Sequence, residues 1–349
     1  MKSRFGCAYF VDRPRSLSLL SSFLTVAGLL FSLTQPLQAI GQSSDEICSK
    51  AYTQFFQNDE IKMSFFFGYV DEGTTTYDRS MEADFLSRLE APCAEGQNFC
   101  GFTADLSVDG AYSKKMIGPD GREKNISLRV ERSSVSDQKA KTSEQVEKSK
   151  RIEKDFLQAL QAPDDAVFYI GHARYGTGPG FEPIMSTTGW VLNGVTRTSL
   201  RTMVQTLKVA KSQPKIIAML GCSTEDYYGR ILHKAAPHSA LLLTRQVSTI
   251  TDIVATAAAT ADSLLGFRCQ EEFNDALFRS TSTFTYTPWR KPKTFGDAAP
   301  HFVGFFNPVS EKFRISHRLQ LHLLDVSHEK FVSSSSIPTP TDLVVYPKP

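Results

Sequence analysis

The sequence predicts an α/β fold with a largely parallel sheet, helices on both faces and a C-terminal extension. Two apolar runs, Ala166–Gly171 and Lys215–Gly221, have the length and the β-branched and aromatic content of strands that are buried on both faces. Around these runs, other strand-like segments alternate with segments whose apolar residues recur at helical spacing. Such alternation is typical of a parallel sheet that is covered by helices on both sides.

The elements predicted before the first of these runs depend on short local signals. The run KMSFFFGYV over Lys62–Val70 has the apolar content of a buried strand, and Asp78 can cap a helix that extends to Leu89. Pro119-Asp120-Gly121 is a turn signal and predicts a hairpin over Tyr112–Val130. The remaining predicted elements of this part are a helix over Ser43–Asp59, a strand over Asn98–Leu106 and a helix over Ser143–Gln161.

The elements predicted later in the chain follow the same logic. A crossover helix over Ser199–Lys211 has Leu200, Val204 and Leu207 on its inward face. Beyond Arg279 the sequence becomes rich in aromatic residues, proline and glycine, which marks the C-terminal extension. The other predicted elements are helices over Glu225–Lys234, Ile250–Leu265 and Glu271–Phe278, strands over Ala240–Thr244 and His301–Phe306, and an amphipathic segment over Phe313–Asp325.

These patterns divide the chain into four parts. We assign residues 1–39 to a signal peptide, 40–280 to the α/β domain, 281–332 to an extension packed on the core and 333–349 to a flexible tail. The formal net charge is only +2 on 349 residues, so the composition gives no case for a nucleic-acid partner.

The N-terminal part has the features of a secretory signal. Basic residues precede an apolar stretch over Leu19–Leu33, and Leu37-Gln38-Ala39 is a small-residue cleavage site. We therefore expect a secreted or periplasmic protein with no membrane contact after cleavage. The alternative is a single N-terminal anchor, although the apolar stretch is short for a membrane span.

The cysteine count fits an oxidising compartment. A chain cleaved after Ala39 keeps five cysteines, and structural cysteines pair under oxidising conditions, so one is left over. Cys93 and Cys100 flank a short turn-like segment and are one candidate pair. Cys48 and Cys269 are the second candidate pair, which leaves Cys222 outside the disulfides. Connectivity itself is not fixed by a sequence.

Both apolar runs end on a reactive side chain, the first at His172 and the second at Cys222. In open α/β sheets the chemistry takes place just beyond the carboxyl ends of the strands. The fifty residues between the two positions can hold a crossover that brings the strand ends side by side. A thiol beside an imidazole can act as a nucleophile with its base. Each residue also has a simpler explanation, as a buried thiol or a structural histidine.

The residues around this pair resemble the caspase–legumain–gingipain clan of cysteine peptidases, over roughly residues 62–244. In that clan one apolar strand ends in His-Gly and a later one ends in a small residue followed by Cys. Ala173 stands where the clan usually has glycine, and the Gln-Ala-Cys signature of caspases is absent. The strings that carry the resemblance are Gly171-His172-Ala173-Arg174-Tyr175-Gly176 and Leu220-Gly221-Cys222-Ser223-Thr224.

The resemblance implies a caspase-like sheet and a hydrolase that needs no cofactor and no metal. Cys222 is then the nucleophile and His172 assists proton transfer. The backbone N–H groups of Ala173 and Cys222 form the oxyanion hole. The partner is a peptide or protein substrate, and the residue before the scissile bond governs specificity; the oligomeric state is left open.

Three further residues are candidates for substrate binding. Arg174 lies at the predicted mouth of the crevice, where it either contacts substrate or braces the loop. Glu225 and Asp226 follow the nucleophile closely and favour a basic residue before the scissile bond, unless their side chains point away.

Other classes of site are poorly represented in the sequence. The chain has no His-Glu-x-x-His, Cys-x-x-Cys or Gly-x-Ser-x-Gly motif, which argues against zinc sites and α/β-hydrolases. The glycine-rich loop after His172 is not followed by a helix signal, so a dinucleotide site is weakly supported. The main alternative to a peptidase is a secreted, non-catalytic α/β binding protein with a degenerate peptidase fold, in which Cys222 is buried or disulfide-bonded.

Overall fold

Eight strands form a single sheet in a computed structural model of the chain, which describes residues 43–69, 77–133, 142–161, 164–173, 176–182, 198–245, 250–281 and 300–307. The signal peptide, Arg174, the amphipathic segment and the tail predicted from the sequence lie outside the described residues. The strands are β1 (Glu60–Phe67), β2 (Thr103–Ala104), β3 (Ala111–Ile117), β4 (Glu123–Arg132), β5 (Ala166–Ile170), β6 (Ile216–Leu220), β7 (Ala240–Leu243) and β8 (His301–Val303).

Seven α-helices accompany the strands in the described ranges. They are α1 (Ser44–Phe55), α2 (Tyr77–Glu90), α3 (Ser143–Ala159), α4 (Thr198–Val209), α5 (Arg230–Ala235), α6 (Ile250–Leu265) and α7 (Gln270–Thr281). A π-helical turn, Glu225–Gly229, leads directly into α5. None of the helices built from described residues is both long and apolar enough to cross a bilayer.

The sheet is mostly parallel, as the sequence predicts. Its order is β2-β3-β4-β1-β5-β6-β7-β8, and the five strands from β4 to β7 in that order all pair in parallel. β2 and β3 extend one edge and β8 the other, in antiparallel pairing. The parallel strands have the 2-1-3-4-5 order of doubly wound sheets, in which ligands bind beyond the carboxyl ends of the strands.

Helices cover both faces of the sheet, which confirms the predicted layers. On one face, α1, α2, α6 and α7 share an apolar cluster with alternate strand residues such as Phe65 and Phe168. On the other face, α3, α4 and α5 pack against the intervening residues, among them Phe66 and Tyr169. Successive strand side chains point to opposite faces, so a strand buried on both sides must be apolar throughout. This explains why β5 and β6 are continuous apolar runs in the sequence.

Most of the predicted helices and strands are confirmed to within a few residues. α3 begins at the predicted position because Thr142 and Gln145 form a capping box, in which each side chain accepts a hydrogen bond from the backbone N–H of the other residue. The hairpin is also confirmed, and its second strand pairs with β1, so the hairpin extends the sheet.

The predicted strand over Asn98–Leu106 is wrong, because only Thr103–Ala104 is a strand. The N–H groups of Asn98 and Phe99 instead donate to one carboxylate oxygen of Asp262, over 2.6 and 2.9 Å. Backbone groups that are paired in this way are not available to a sheet. The Cys93–Cys100 disulfide closes the preceding loop.

Both predicted disulfides are present, Cys48–Cys269 and Cys93–Cys100. Cys222 takes part in neither and is partly exposed. The first disulfide joins α1 to the residue before α7. It therefore ties the beginning of the described chain to its last long helix.

Candidate active site

The strands that precede His172 and Cys222 are neighbours. β5 and β6 pair in parallel with Ile170 opposite Leu220, and the Gly171 N–H donates to the Leu220 carbonyl over 2.9 Å. His172 and Cys222 therefore each lie two residues beyond the same register pair, at the carboxyl ends of adjacent strands. Both residues are partly exposed. This is the strand arrangement that the sequence predicts for the pair.

The two turns that carry these residues are in close contact. A Cβ atom added to Gly221 would lie 2.4 Å from the carbonyl oxygen of Gly171 and 3.2 Å from the backbone nitrogen of Ala173. No side chain fits at such distances without a shift of the neighbouring backbone. Gly221 therefore allows the turn that bears the thiol to approach the turn that bears the imidazole.

The turn after Cys222 contains a backbone conformation that the sequence did not predict. Ser223 has a φ of 51°, in the left-handed region, and is buried. A non-glycine residue costs about 1–2 kcal/mol in this region because Cβ approaches the carbonyl oxygen. Such strain persists only where the surroundings fix the backbone, and it is enriched at active sites.

Two buried threonines provide those surroundings. The Thr224 hydroxyl donates to the Met219 carbonyl over 2.5 Å and accepts from the Thr244 N–H over 2.9 Å. The Thr244 hydroxyl donates to the Gly221 carbonyl, and the Glu225 N–H donates to the Thr244 carbonyl over 3.0 Å. Thr244, the first residue after β7, therefore forms hydrogen bonds with the turn after β6 on both sides of Cys222.

Glu225 is the first residue of the π-helical turn and is only 6% exposed. One carboxylate oxygen accepts from Arg245 over 3.1 Å, and the other lies 3.3 Å from Nδ1 of His301 in β8. Burial raises the pKa of the Glu225 carboxyl, but the hydrogen bond to His301 and the charges of His301 and Arg245 outweigh burial and lower the pKa overall.

These contacts bear on the predicted substrate-binding residues. Both oxygens of Glu225 already have partners, so a basic substrate side chain would compete with Arg245 for the carboxylate. Asp226 follows in the same turn and is partly exposed. The substrate-binding roles of Arg174, Glu225 and Asp226 stay predictions.

Two tyrosines hold the backbone on the histidine side. The Tyr169 hydroxyl accepts from the Gly180 N–H over 2.7 Å and lies 2.9 Å from the His172 carbonyl, to which it donates. The Tyr228 hydroxyl, from the π-helical turn, donates to the Ala173 carbonyl over 2.6 Å. In the sequence these tyrosines lie within a predicted strand and a predicted helix. Nothing in the local pattern distinguishes them from other aromatic residues.

The described residues contain no group of three or more His, Cys, Asp or Glu side chains arranged to hold a metal ion. Comparison of the chain with protein-family models, with curated proteins and with solved structures found no match.

Proposed function

We propose that this chain is a secreted cysteine peptidase that cleaves peptide bonds through His172 and Cys222. The observation that carries the proposal is the register of β5 and β6, which brings the two residues to the carboxyl ends of adjacent parallel strands. The largely parallel sheet with helices on both faces is compatible with the caspase-like fold that the sequence resemblance implies. Two disulfides are compatible with an oxidising compartment.

In the proposed reaction, the sulfur of Cys222 attacks the carbonyl carbon of the scissile bond. Negative charge develops on the carbonyl oxygen, where the backbone N–H groups of Ala173 and Cys222 stabilise it. As the C–N bond breaks, His172 gives its proton to the leaving amine and an acyl-enzyme remains. Water then attacks the acyl carbon, His172 takes a proton from it, and the acid product leaves as the thiolate returns.

The proposed mechanism requires the thiolate form of Cys222. Helical backbone runs from Thr224 through the π-helical turn into α5, and the positive end of that helix dipole faces the turn that bears the thiol. A protonated His172 would add a second favourable charge.

The test is hydrolysis of a peptide library with Arg, Lys, Asp or Asn before the scissile bond. Cys222→Ala should reduce hydrolysis to background, and His172→Ala should lower it at least about a hundredfold, because proton transfer is lost. His238→Ala is the matched control. His238 is exposed and precedes β7, so it lies at the amino ends of the parallel strands, opposite the site.

A Cys222→Ala protein as active as the wild type would refute the proposal. A wild type that is inert on every peptide, and whose Cys222 alkylates no faster than an ordinary thiol, would favour the non-catalytic binding protein instead.

A further inference from the structure

Tyr169 occupies a space that glycines leave open beside the candidate site. It is fully buried in β5. A Cβ atom added to Gly68 would lie 2.6 Å from the Tyr169 hydroxyl oxygen, and one added to Gly171 would lie 2.7 Å from it. Neither position tolerates a side chain while the hydroxyl stays in place. Phenylalanine at 169 would fill the same space without the oxygen, so packing alone does not explain a hydroxyl there.

The hydroxyl has a definite hydrogen-bond arrangement. The Gly180 N–H donates to it over 2.7 Å, so its single proton is directed to an acceptor. The His172 carbonyl oxygen lies 2.9 Å away and the Gly180 carbonyl oxygen 3.2 Å away. The shorter contact makes the His172 carbonyl the principal acceptor.

The His172 carbonyl belongs to the same peptide group as the Ala173 N–H. That group is planar and trans, so its C=O and N–H point in opposite directions and turn together. A hydrogen bond that fixes the carbonyl therefore fixes the direction of the N–H. It also polarises the peptide group, which makes the N–H a better donor.

We infer that Tyr169 is a positioning residue that aims the Ala173 N–H at the oxyanion of the transition state. This inference depends on the proposed peptidase function. Tyr169 acts through the peptide group between His172 and Ala173, whose carbonyl oxygen accepts its hydroxyl proton. Tyr228 restrains the next peptide group through the Ala173 carbonyl.

The test compares Tyr169→Phe with Tyr52→Phe in the secreted chain. Tyr52 is a matched control, since it is equally buried and its hydroxyl donates to a backbone carbonyl, that of Arg268, over 2.6 Å. It lies in α1, against the opposite face of the sheet. Both changes remove one buried hydroxyl, so an effect that comes only from lost stability should be similar in the two variants.

Three measurements separate a positioning role from a structural one. Tyr169→Phe should lower kcat for peptide hydrolysis about tenfold with little change in KM, because oxyanion donors act mainly in the transition state. It should weaken the binding of a peptide aldehyde by a similar factor, because the adduct of the aldehyde with Cys222 carries an oxyanion. Alkylation of Cys222 by iodoacetamide forms no oxyanion and should keep its wild-type rate. Tyr52→Phe should leave all three unchanged.

If the wild type is active and Tyr169→Phe has the same kcat and the same affinity for the aldehyde, the positioning role is overturned. The peptidase proposal then stays intact. An equal loss of hydrolysis and alkylation in Tyr169→Phe would also overturn it, because general disorder of the site would explain both. A wild type with no hydrolysis and no aldehyde binding would refute the peptidase and this inference together.

Discussion

At the scale of single residues, the turn that carries Cys222 combines backbone strain with hydrogen bonds that hold it. Ser223 has a left-handed backbone, while the hydroxyl groups of Thr224 and Thr244 fix the carbonyl groups of Met219 and Gly221, which precede Cys222. Both threonines are almost completely buried. Their hydroxyl groups consequently have no water to replace a lost partner, and the geometry of the turn depends on them.

We expect Thr244→Val to lower the free energy of unfolding by about 1–3 kcal/mol, because it leaves buried polar groups without a partner. Thr244→Ser keeps the hydroxyl and should cost much less. Urea unfolding of the two variants measures the difference. Equal stability of Thr244→Val and wild type would show that the hydroxyl does not hold the turn.

At the scale of elements, Glu225 connects the π-helical turn to β8 and to the end of β7. Arg245 and His301 are its two partners. The edge strand β8 therefore contacts the segment that begins three residues after Cys222. Removal of one partner from a buried ion pair is costly because the other charge stays desolvated.

We expect Glu225→Gln to lower the free energy of unfolding by about 1–3 kcal/mol at pH 7, because Arg245 and His301 are partly exposed and regain some hydration. The pKa of Glu225 is lowered in the folded chain, so its contribution to stability is present above the ordinary carboxyl pKa of about 4.3 and is lost as the pH falls through the lowered value. Unfolding is measured from pH 7 to pH 3. The difference in unfolding free energy between wild type and variant should become smaller in acid. A difference that stays constant over this range would contradict a lowered pKa of Glu225.

The elements that the sequence predicts well are those with strong local patterns. β5 and β6 are continuous apolar runs, and α3 has both a capping box and a clear apolar face. The strand predicted over Asn98–Leu106 fails because its N–H groups bind Asp262, a residue more than 150 positions away. A local pattern carries no information about such a partner.

The candidate site was predictable to a similar extent. His172 and Cys222 are visible because each follows an apolar run. The left-handed Ser223 and the pairing of Thr224 with Thr244 depend on contacts between separate strands, as does the hydroxyl of Tyr169. These features become visible only when the strand order is known.

At the scale of the whole molecule, the two disulfides close loops of very different length. Cys48 and Cys269 are 221 residues apart, whereas Cys93 and Cys100 are 7 apart. In the chain-entropy description, a longer closed loop removes more freedom from the unfolded chain. The long-range disulfide should therefore contribute more to stability.

The double variant Cys48→Ser/Cys269→Ser should lose roughly 5 kcal/mol of unfolding free energy, and Cys93→Ser/Cys100→Ser roughly 2.5 kcal/mol. Guanidinium unfolding of both variants under oxidising conditions measures which of the two loses more unfolding free energy. A larger loss for the short-range pair would show that loop length does not control the effect.

In the proposed peptidase His172 activates Cys222, and the pH dependence of Cys222 alkylation tests this activation. Iodoacetamide labelling is followed by mass spectrometry for wild type, His172→Ala and the control His238→Ala. In wild type the rate should stay high at pH 6.5, where an ordinary thiol with a pKa of about 8.5 is almost entirely protonated. His172→Ala should slow labelling at that pH at least about tenfold, and His238→Ala should not. A wild-type profile like that of an ordinary thiol, unchanged by His172→Ala, would contradict the claim.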